Sequence, residues 1–194
     1  MIAQIAEPNV APLDFDELFG RRAPVQVDLG CGDGSFLVSL AEQMPEKNFF
    51  GVERLLHRVR TAIRRSKRLN NVRVLRTETS LVVRHLLGGE SVEGFYLLFP
   101  DPWPKRRHHR RRIVTLEFLS ALSAALQPNG FLTIATDYTE YFDVISRLAQ
   151  QSECFRVADR TWDGAIPETT FEKRFRGAGV PIHRLELRKV SPVR

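Results

Sequence analysis

The feature that most constrains this sequence is a regular alternation of short apolar runs with stretches of helical spacing. Runs typical of β-strands lie at residues 25–29, 48–52, 72–76, 94–99, 131–136, 155–159 and 182–189. Helical spacing between them is seen, for example, in Leu116, Leu119, Leu122 and Leu126. Strands that alternate with helices predict a doubly wound α/β sheet of parallel strands. The last run follows a Gly/Pro-rich stretch with no room for another crossover helix, so it predicts an antiparallel strand.

Length and composition indicate one domain. The chain has 194 residues and 43% hydrophobic content, enough for one core. We expect an N-terminal arm over 1–24 and a single domain over 25–194. No apolar run approaches the roughly 18 residues that span a bilayer, and the first residues lack the pattern of a secretory signal. We therefore expect a cytoplasmic protein without membrane association.

The cysteines and histidines do not form a metal-binding pattern. Cys31 and Cys154 are far apart in the sequence, and no pair of His or Cys has the spacing of a metal site. We predict no metal and no disulfide scaffold. The formal charge of +6 and the isoelectric point near 9.8 favour an anionic partner.

Carboxylates lie at the ends of the first five predicted strands. These residues are Asp28, Glu53, Glu78, Asp101 and Asp137. The first four are separated by 25, 25 and 23 residues, the length of one helix and one strand. Ligands of open α/β sheets bind beyond the carboxyl ends of the strands. A single acid there often caps a helix instead, but five in succession favour a binding site.

A glycine-rich loop, Gly30–Gly34, joins the first strand to a helix that begins at Ser35. A dinucleotide site would place a third glycine at Ser35 and a pyrophosphate beside acids. S-adenosylmethionine fits better, because carboxylates attract its ammonium and sulfonium groups and accept from its ribose hydroxyls. We predict that Gly30 approaches this cofactor, that Glu53 binds the ribose, and that Glu78 lies near the adenine amine.

A proline-rich loop is followed by a dense basic run. Three prolines in Phe99–Pro104 restrict the backbone around Asp101. Trp103 either stacks on a base or plugs the sheet. Six permanent cations then lie within Lys105–Arg112, beside the predicted site. A second basic group follows the second strand, at Arg54, Arg58, Arg60, Arg64, Arg65, Lys67 and Arg68. Together they indicate a surface for nucleic acid.

From Val25 to Lys189 the sequence resembles the bacterial tRNA (guanine-N7-)-methyltransferase family. The resemblance rests on VDLGCGDGSF, GVE, LFPDPWPKRRHHRRRIV, ATDY and TTFEKRFRGAG. The FPDPW string with its basic residues and the late T-x-F-E are highly specific, whereas the glycine loop alone is not. The resemblance implies the Rossmann-like class I methyltransferase fold, with seven mainly parallel strands and the last strand antiparallel. It also implies S-adenosylmethionine as cofactor and the variable-loop guanosine of tRNA as substrate.

The resemblance also assigns roles to individual positions. It places the cofactor acids at Asp28, Glu53, Glu78 and Asp101, although relatives often have Asp or Asn where this chain has Glu78. It places substrate contacts at Lys105, Asp137, Thr169, Thr170, Phe171 and Glu172. It places RNA contacts at Arg107, His108, His109, Arg110, Arg111 and Arg112. Some relatives have longer N-terminal extensions, and the protein is expected to be a monomer or a homodimer.

Guanine N7 presents a lone pair, so its methylation needs no strong base. We expect Asp101 to act catalytically, by compensating the positive charge that moves onto the guanine. Asp137 and Glu172 are expected to accept from N1–H and the exocyclic amine; the alternative for Asp137 is a cap on the helix from Tyr138. Two other functions stay open: methylation of another RNA, for instance at an exocyclic nitrogen, and RNA binding without catalysis.

Overall fold

The structure, a computed structural model, describes residues 11–158 and 167–190. Within these ranges the strands are β1 Val25–Leu29, β2 Asn48–Glu53, β3 Val72–Arg76, β4 Val92–Leu98, β5 Leu126–Thr136, β6 Phe155–Val157 and β7 His183–Lys189. They form one sheet of the order β3-β2-β1-β4-β5-β7-β6. The pairs among β1 to β5 are parallel, and β7 is antiparallel to β5 and β6. The predicted fold class is confirmed.

Helices connect the strands on both faces of the sheet. The α-helices of the described residues are α1 Phe15–Phe19, α2 Ser35–Gln43, α3 Leu56–Arg65, α4 Thr79–Leu81, α5 Leu116–Ala125, α6 Thr139–Gln151 and α7 Thr170–Gly177. A π-helical turn, Val82–Leu86, continues α4, and a 3₁₀ helix covers Arg106–Arg111. Side-chain caps start three of these helices, where Asp14, Thr115 and Thr169 each accept a backbone N–H of the first turn.

Helix α7 is a helix before the last strand that the sequence did not predict, but it is not a crossover helix, so the expectation of no crossover helix there holds. β7 begins opposite Thr136, where β5 ends, and β6 runs toward this same edge of the sheet. The connection therefore needs no crossover, and α7 lies at this edge instead of across a face of the sheet. A second difference is that Leu126, the last residue of the predicted helical pattern, is the first residue of β5.

Alternate residues of the strands pack on opposite faces of the sheet. Phe49 of β2, Tyr96 of β4 and Phe131 of β5 are buried with the apolar side of α2. Their neighbours Phe50 and Phe95 face the larger core, which contains α1, α5 and α6. Both faces are covered, as a parallel sheet requires.

Helix α1 lies within the predicted N-terminal arm. Phe15 and Phe19 are buried in the larger core, and the Phe15 ring meets Phe50 edge to face at 5.4 Å between centroids. Residues 1–10 of the arm and Asp159, where the sixth strand is predicted to end, lie outside the described residues. The boundary at residue 24 stays a prediction.

Two further features concern residues 11–158 and 167–190 only. No helix there is long and apolar enough to cross a bilayer. No group of three or more His, Cys, Asp or Glu side chains there has the arrangement of a metal site. Cys31 and Cys154 are free thiols.

A substitution at Gly94 tests the packing between β4 and β5. A Cβ at this position would lie 2.2 Å from Cε1 and Cζ of Phe131, whose ring packs edge to face on Tyr96. We expect Gly94→Ala to lower the free energy of unfolding by about 1–3 kcal/mol, the usual effect of overpacking. The matched control is Gly89→Ala, because a Cβ there has its nearest neighbour at 3.9 Å. Urea unfolding measures both, and equal midpoints would contradict the packing described.

Candidate active site

A cleft of about 650 Å³ opens at the carboxyl ends of β1 to β4. This volume is in the range of small-molecule sites, about 300–1,000 Å³. Gly30, Glu53, Glu78 and Asp101 all line it. The structure thus brings together in one cleft the predicted cofactor residues other than Asp28, which is buried in β1.

The glycine loop lies against the end of β2. Gly30, Gly32 and Gly34 have left-handed φ angles of 93°, 57° and 76°, which side chains other than glycine rarely adopt. A Cβ at Gly30 or Gly32 would meet nothing within 4 Å, whereas one at Gly34 would lie 2.7 Å from Cβ of Ala62. Gly34 therefore allows α2 to approach α3. The other two glycines leave the space in front of the loop open, as a closely approaching ligand requires.

Glu53 is fixed by backbone donors from two sides. Its Oε2 accepts from the Gly32 N–H at 3.2 Å and its Oε1 from the Leu55 N–H at 2.7 Å. The Arg58 guanidinium lies 3.9 Å from Oε2. A carboxylate offers about four acceptor positions. Glu53 can therefore accept from ribose hydroxyls while these two bonds hold it in place.

Asp28 is a buried acid that a bound cation would stabilise. Its residue exposure is 3%. Burial, and to a smaller extent the negative charge of Glu53, raises the pKa of Asp28 to about 7. Positive charge bound nearby favours the ionised form and lowers this pKa. The chemistry of Asp28 therefore suits the ammonium end of S-adenosylmethionine.

The loop around Asp101 has an unusual backbone. Phe99 and Trp103 have φ angles of 54° and 44°, a region that bulky residues avoid. The Phe99 N–H donates to the Ala135 carbonyl at 2.7 Å and fixes the start of the loop on β5. Asp101 is exposed between the two strained residues. Such strain persists where the surroundings hold it and is common at functional sites.

The basic run forms one wall of the cleft. Arg110 and Arg111 line the cavity and are exposed. The Arg111 guanidinium lies 4.8 Å from the centroid of the Trp103 ring, and His108 meets this ring edge to face. Arg107 is also exposed, and Lys105 is exposed directly before the 3₁₀ helix. These cations can face a polyanion, and Trp103 lies beneath them.

Arg112 and His109 differ from the rest of the run. Arg112 is only 7% exposed. Its Nη2 donates to Glu140 at 3.1 Å, and His109 Nε2 is 3.7 Å from the same carboxylate. Arg112 therefore borders the same cleft as Arg110 and Arg111, but unlike them it is buried.

The T-x-F-E segment, at the start of α7, lies beside the cleft and does not line it. Thr169 caps this helix by accepting from the Glu172 N–H at 2.9 Å. The hydroxyls of Thr170 and Ser35 are 3.0 Å apart, which places α7 beside the start of α2. The Phe171 side chain is exposed, and the Arg58 guanidinium lies 5.9 Å from the centroid of its ring. Residues near the C-terminal end of the chain thus lie next to the helix that follows the glycine loop.

Glu172 and Asp137 occupy different environments. Glu172 is 1% exposed, and its Oε1 accepts from Arg184 at 2.5 Å and from Arg176 at 3.1 Å. The ion pair with Arg184 connects α7 to β7, and the pair with Arg176 lies within α7. Asp137 follows β5 directly and is half-buried. The N-cap residue of α6 is Tyr138, so the alternative of a helix cap at Asp137 gains no support. The roles of both acids stay predictions.

Two features of the cleft are not predicted by the sequence. Arg84 lines the cavity from the π-helical turn. A π-helical turn has no periodic apolar pattern by which it could be recognised in a sequence, although such turns are common at functional sites. The second feature is the backbone of Phe99. The apolar pattern predicts that Phe99 ends a strand, and only the proline that follows it in the sequence indicates an unusual backbone there.

Solved structures place this arrangement in a known fold class. The 16S rRNA methyltransferase KamB is similar with a TM-score of 0.65 and 19% identity, covering 92% of this chain and 93% of that one. Residues 22–185 match a family described as "Putative methyltransferase". The sheet order, the antiparallel β7 and the glycine loop at β1 define a class I methyltransferase.

The chain belongs to the tRNA (guanine-N7-)-methyltransferase family. A relative of that name from Nitrosomonas eutropha is 37% identical over 187 residues, 93% of this chain and 83% of the relative. Another from Leifsonia xyli subsp. xyli is 41% identical over 189 residues, 91% of this chain and 81% of the relative. The resemblance stated from the sequence motifs is confirmed.

The raised pKa of Asp28 predicts a pH dependence of stability. The folded protein keeps this proton up to about pH 7, whereas an unfolded aspartate releases it near 3.8. Between these values the folded state binds more protons, so the free energy of unfolding falls as pH rises. The slope is at most about 1.4 kcal/mol per pH unit.

Asp28→Asn, which cannot ionise, isolates this contribution. Urea unfolding of both proteins from pH 5 to pH 8 should show the wild type losing stability relative to the variant up to about pH 7. Parallel stability curves would show that Asp28 is already ionised in the folded protein at pH 5.

Proposed function

We propose that this protein transfers the methyl group of S-adenosylmethionine to N7 of the variable-loop guanosine of tRNA. The observation that carries the proposal is the cleft itself, in which Glu53 and Asp101 lie beside a glycine loop and Arg110 and Arg111 line the rim. Acids suit a cationic cofactor, and arginines suit an RNA backbone. The family to which the chain belongs supports both assignments.

The cofactor assignment rests on the donors and acceptors of the cleft. Asp28 would attract the ammonium group, Glu53 would accept from the ribose hydroxyls, and Glu78 on the exposed rim would accept from the adenine amine. The open space before Gly30 admits the ligand close to the backbone. When bound, S-adenosylmethionine supplies an electrophilic methyl group on a sulfonium.

The substrate side needs positioning more than base catalysis. Guanine N7 already carries a lone pair, so Asp101 serves by its charge, which compensates the positive charge that develops on the guanine ring. Asp137, at the end of β5, would accept from N1–H and the exocyclic amine. The predicted contact of Glu172 to the base would have to use Oε2, because Oε1 accepts from Arg176 and Arg184.

The RNA backbone would follow two basic walls. One wall consists of Lys105, Arg107, Arg110 and Arg111, which are exposed beside the Asp101 loop. The other wall includes Arg54, Arg58 and Arg84, which line the same cleft from the residue after β2, from α3 and from the π-helical turn. Arginine suits this role because its planar group binds phosphate in two places and stacks on bases.

Methyl transfer to defined transcripts tests the proposal. Unmodified tRNA should accept labelled methyl from S-adenosylmethionine, and a transcript with adenosine in place of the variable-loop guanosine should not. Strand scission at the labelled nucleotide would identify N7-methylguanosine. Asp101→Ala should reduce turnover about 100-fold or more, as the loss of a charge-stabilising group does, and should keep the thermal midpoint because Asp101 is exposed. Equal labelling of both transcripts would redirect the proposal to another RNA position.

The basic wall predicts a salt effect. Arg110→Ala together with Arg111→Ala should weaken tRNA binding and reduce the slope of log K against log salt concentration by about 0.7–0.9 for each phosphate that the variant no longer neutralises. The control is Arg147→Ala with Arg156→Ala, which removes the same charge from exposed positions on α6 and β6. Filter binding from low to moderate salt measures the slopes. Equal slopes for both double variants would mean that the 3₁₀ helix does not contact phosphate.

A further inference from the structure

We infer that Arg112 is a positioning residue, which fixes the Asp101 loop for methyl transfer, and that it does not contact RNA. The inference rests on the proposed function, in which the charge of Asp101 acts at the reacting methyl group. It separates Arg112 from the exposed cations that precede it in the sequence.

The contacts of Arg112 reach both the loop and α6. Its Nε donates to the Pro102 carbonyl at 2.8 Å. Its Nη2 donates to Oε1 of Glu140, in the first turn of α6, at 3.1 Å. Its guanidinium carbon lies 4.8 Å from the centroid of the Tyr141 ring. One planar group thus joins the residue after Asp101 to the helix that follows Asp137.

The partners of Arg112 are themselves held. Tyr141 is fully buried, and its hydroxyl accepts from the Val114 N–H at 3.3 Å. The Arg112 N–H donates to the His109 carbonyl at 2.9 Å and closes the 3₁₀ helix. The guanidinium therefore has little freedom to turn outward.

The loop needs such an anchor because its backbone is strained. Phe99 and Trp103 both have left-handed φ angles, which are unfavourable for residues other than glycine and persist only where the surroundings hold them. The Phe99 N–H is held by Ala135 on β5, and the Pro102 carbonyl is held by Arg112. These two bonds lie on either side of Asp101. Without the second bond, the C-terminal half of the loop would relax and the carboxylate would move.

The geometry also explains why this position is arginine. The planar guanidinium donates in two directions while its face packs on an aromatic ring. Lysine has the same charge but one ammonium group, which cannot reach Pro102 and Glu140 while covering Tyr141. A contact to phosphate would require Arg112, with a side chain only 6% exposed, to give up these bonds.

The test compares Arg112→Lys with Arg147→Lys, the same substitution at an exposed position of α6. Steady-state methylation gives kcat and the KM for tRNA, and calorimetry gives the Kd for S-adenosylmethionine. For Arg112→Lys we expect kcat to fall about tenfold or more, the KM for tRNA and its salt dependence to stay within twofold, and the cofactor Kd to rise severalfold. Arg147→Lys should match the wild type in each quantity.

The opposite pattern would overturn the inference. If Arg112→Lys raises the KM for tRNA and reduces its salt dependence while kcat stays unchanged, Arg112 contacts RNA as first predicted. If Arg112→Lys does not fold, Glu140→Gln decides, because Glu140 is exposed and this variant removes only the charge that orients the guanidinium. An unchanged kcat for a folded Glu140→Gln would then overturn the inference, and a reduced kcat with an unchanged KM for tRNA would support it.

Failure of the proposed function gives a different result. In that case the wild type transfers no methyl to tRNA, and the comparison of cofactor Kd values remains. A wild-type Kd for S-adenosylmethionine in folded Arg112→Lys would overturn the inference about Arg112. A weaker Kd in this variant alone would support it independently of the substrate.

Discussion

Parallel pairing of β1 with β2 on one side and β4 on the other determines where everything else in this protein lies. Because parallel strands end at the same edge, three connections emerge side by side: the glycine loop, the start of α3 and the Asp101 loop. The antiparallel β7 brings a fourth segment, α7, to that edge without a crossover. A site built from residues 28 to 172 thus depends on backbone hydrogen bonds of the sheet, which set where its side chains lie.

The edge separates two kinds of charge. Two of the carboxylates lie toward the sheet, where Asp28 is buried and Glu53 is held by the N–H groups of Gly32 and Leu55. Arginines lie farther out, on the 3₁₀ helix and on α3. Arg58 lies between the two zones, beside both Glu53 and the Phe171 ring. A small cation and a large polyanion can therefore be bound next to each other by opposite charges.

The parts of this structure that local sequence patterns determine could be predicted from the sequence. The strands, the antiparallel end of the sheet, the glycine loop and the acids at the strand ends follow from periodicity and spacing, and the family follows from its motifs. The rest depends on contacts between distant residues. Within a run of six arginines and lysines, no local signal distinguishes Arg112. It is buried because its side chain contacts Glu140 and Tyr141 of α6. Glu172 likewise looks free in the sequence, but Arg184 of β7 pairs with it.

The separation of charges also bears on product release. In the proposed reaction, the sulfur that enters the acidic zone is cationic and the sulfur that remains is a neutral thioether, so the attraction of Asp28 and Glu53 for the spent cofactor is weaker than for the fresh one. The positive charge now resides on the methylated guanine, where the Asp101 carboxylate compensates it and the arginines of the rim repel it. The acidic zone that attracts the fresh cofactor therefore releases the spent cofactor more readily.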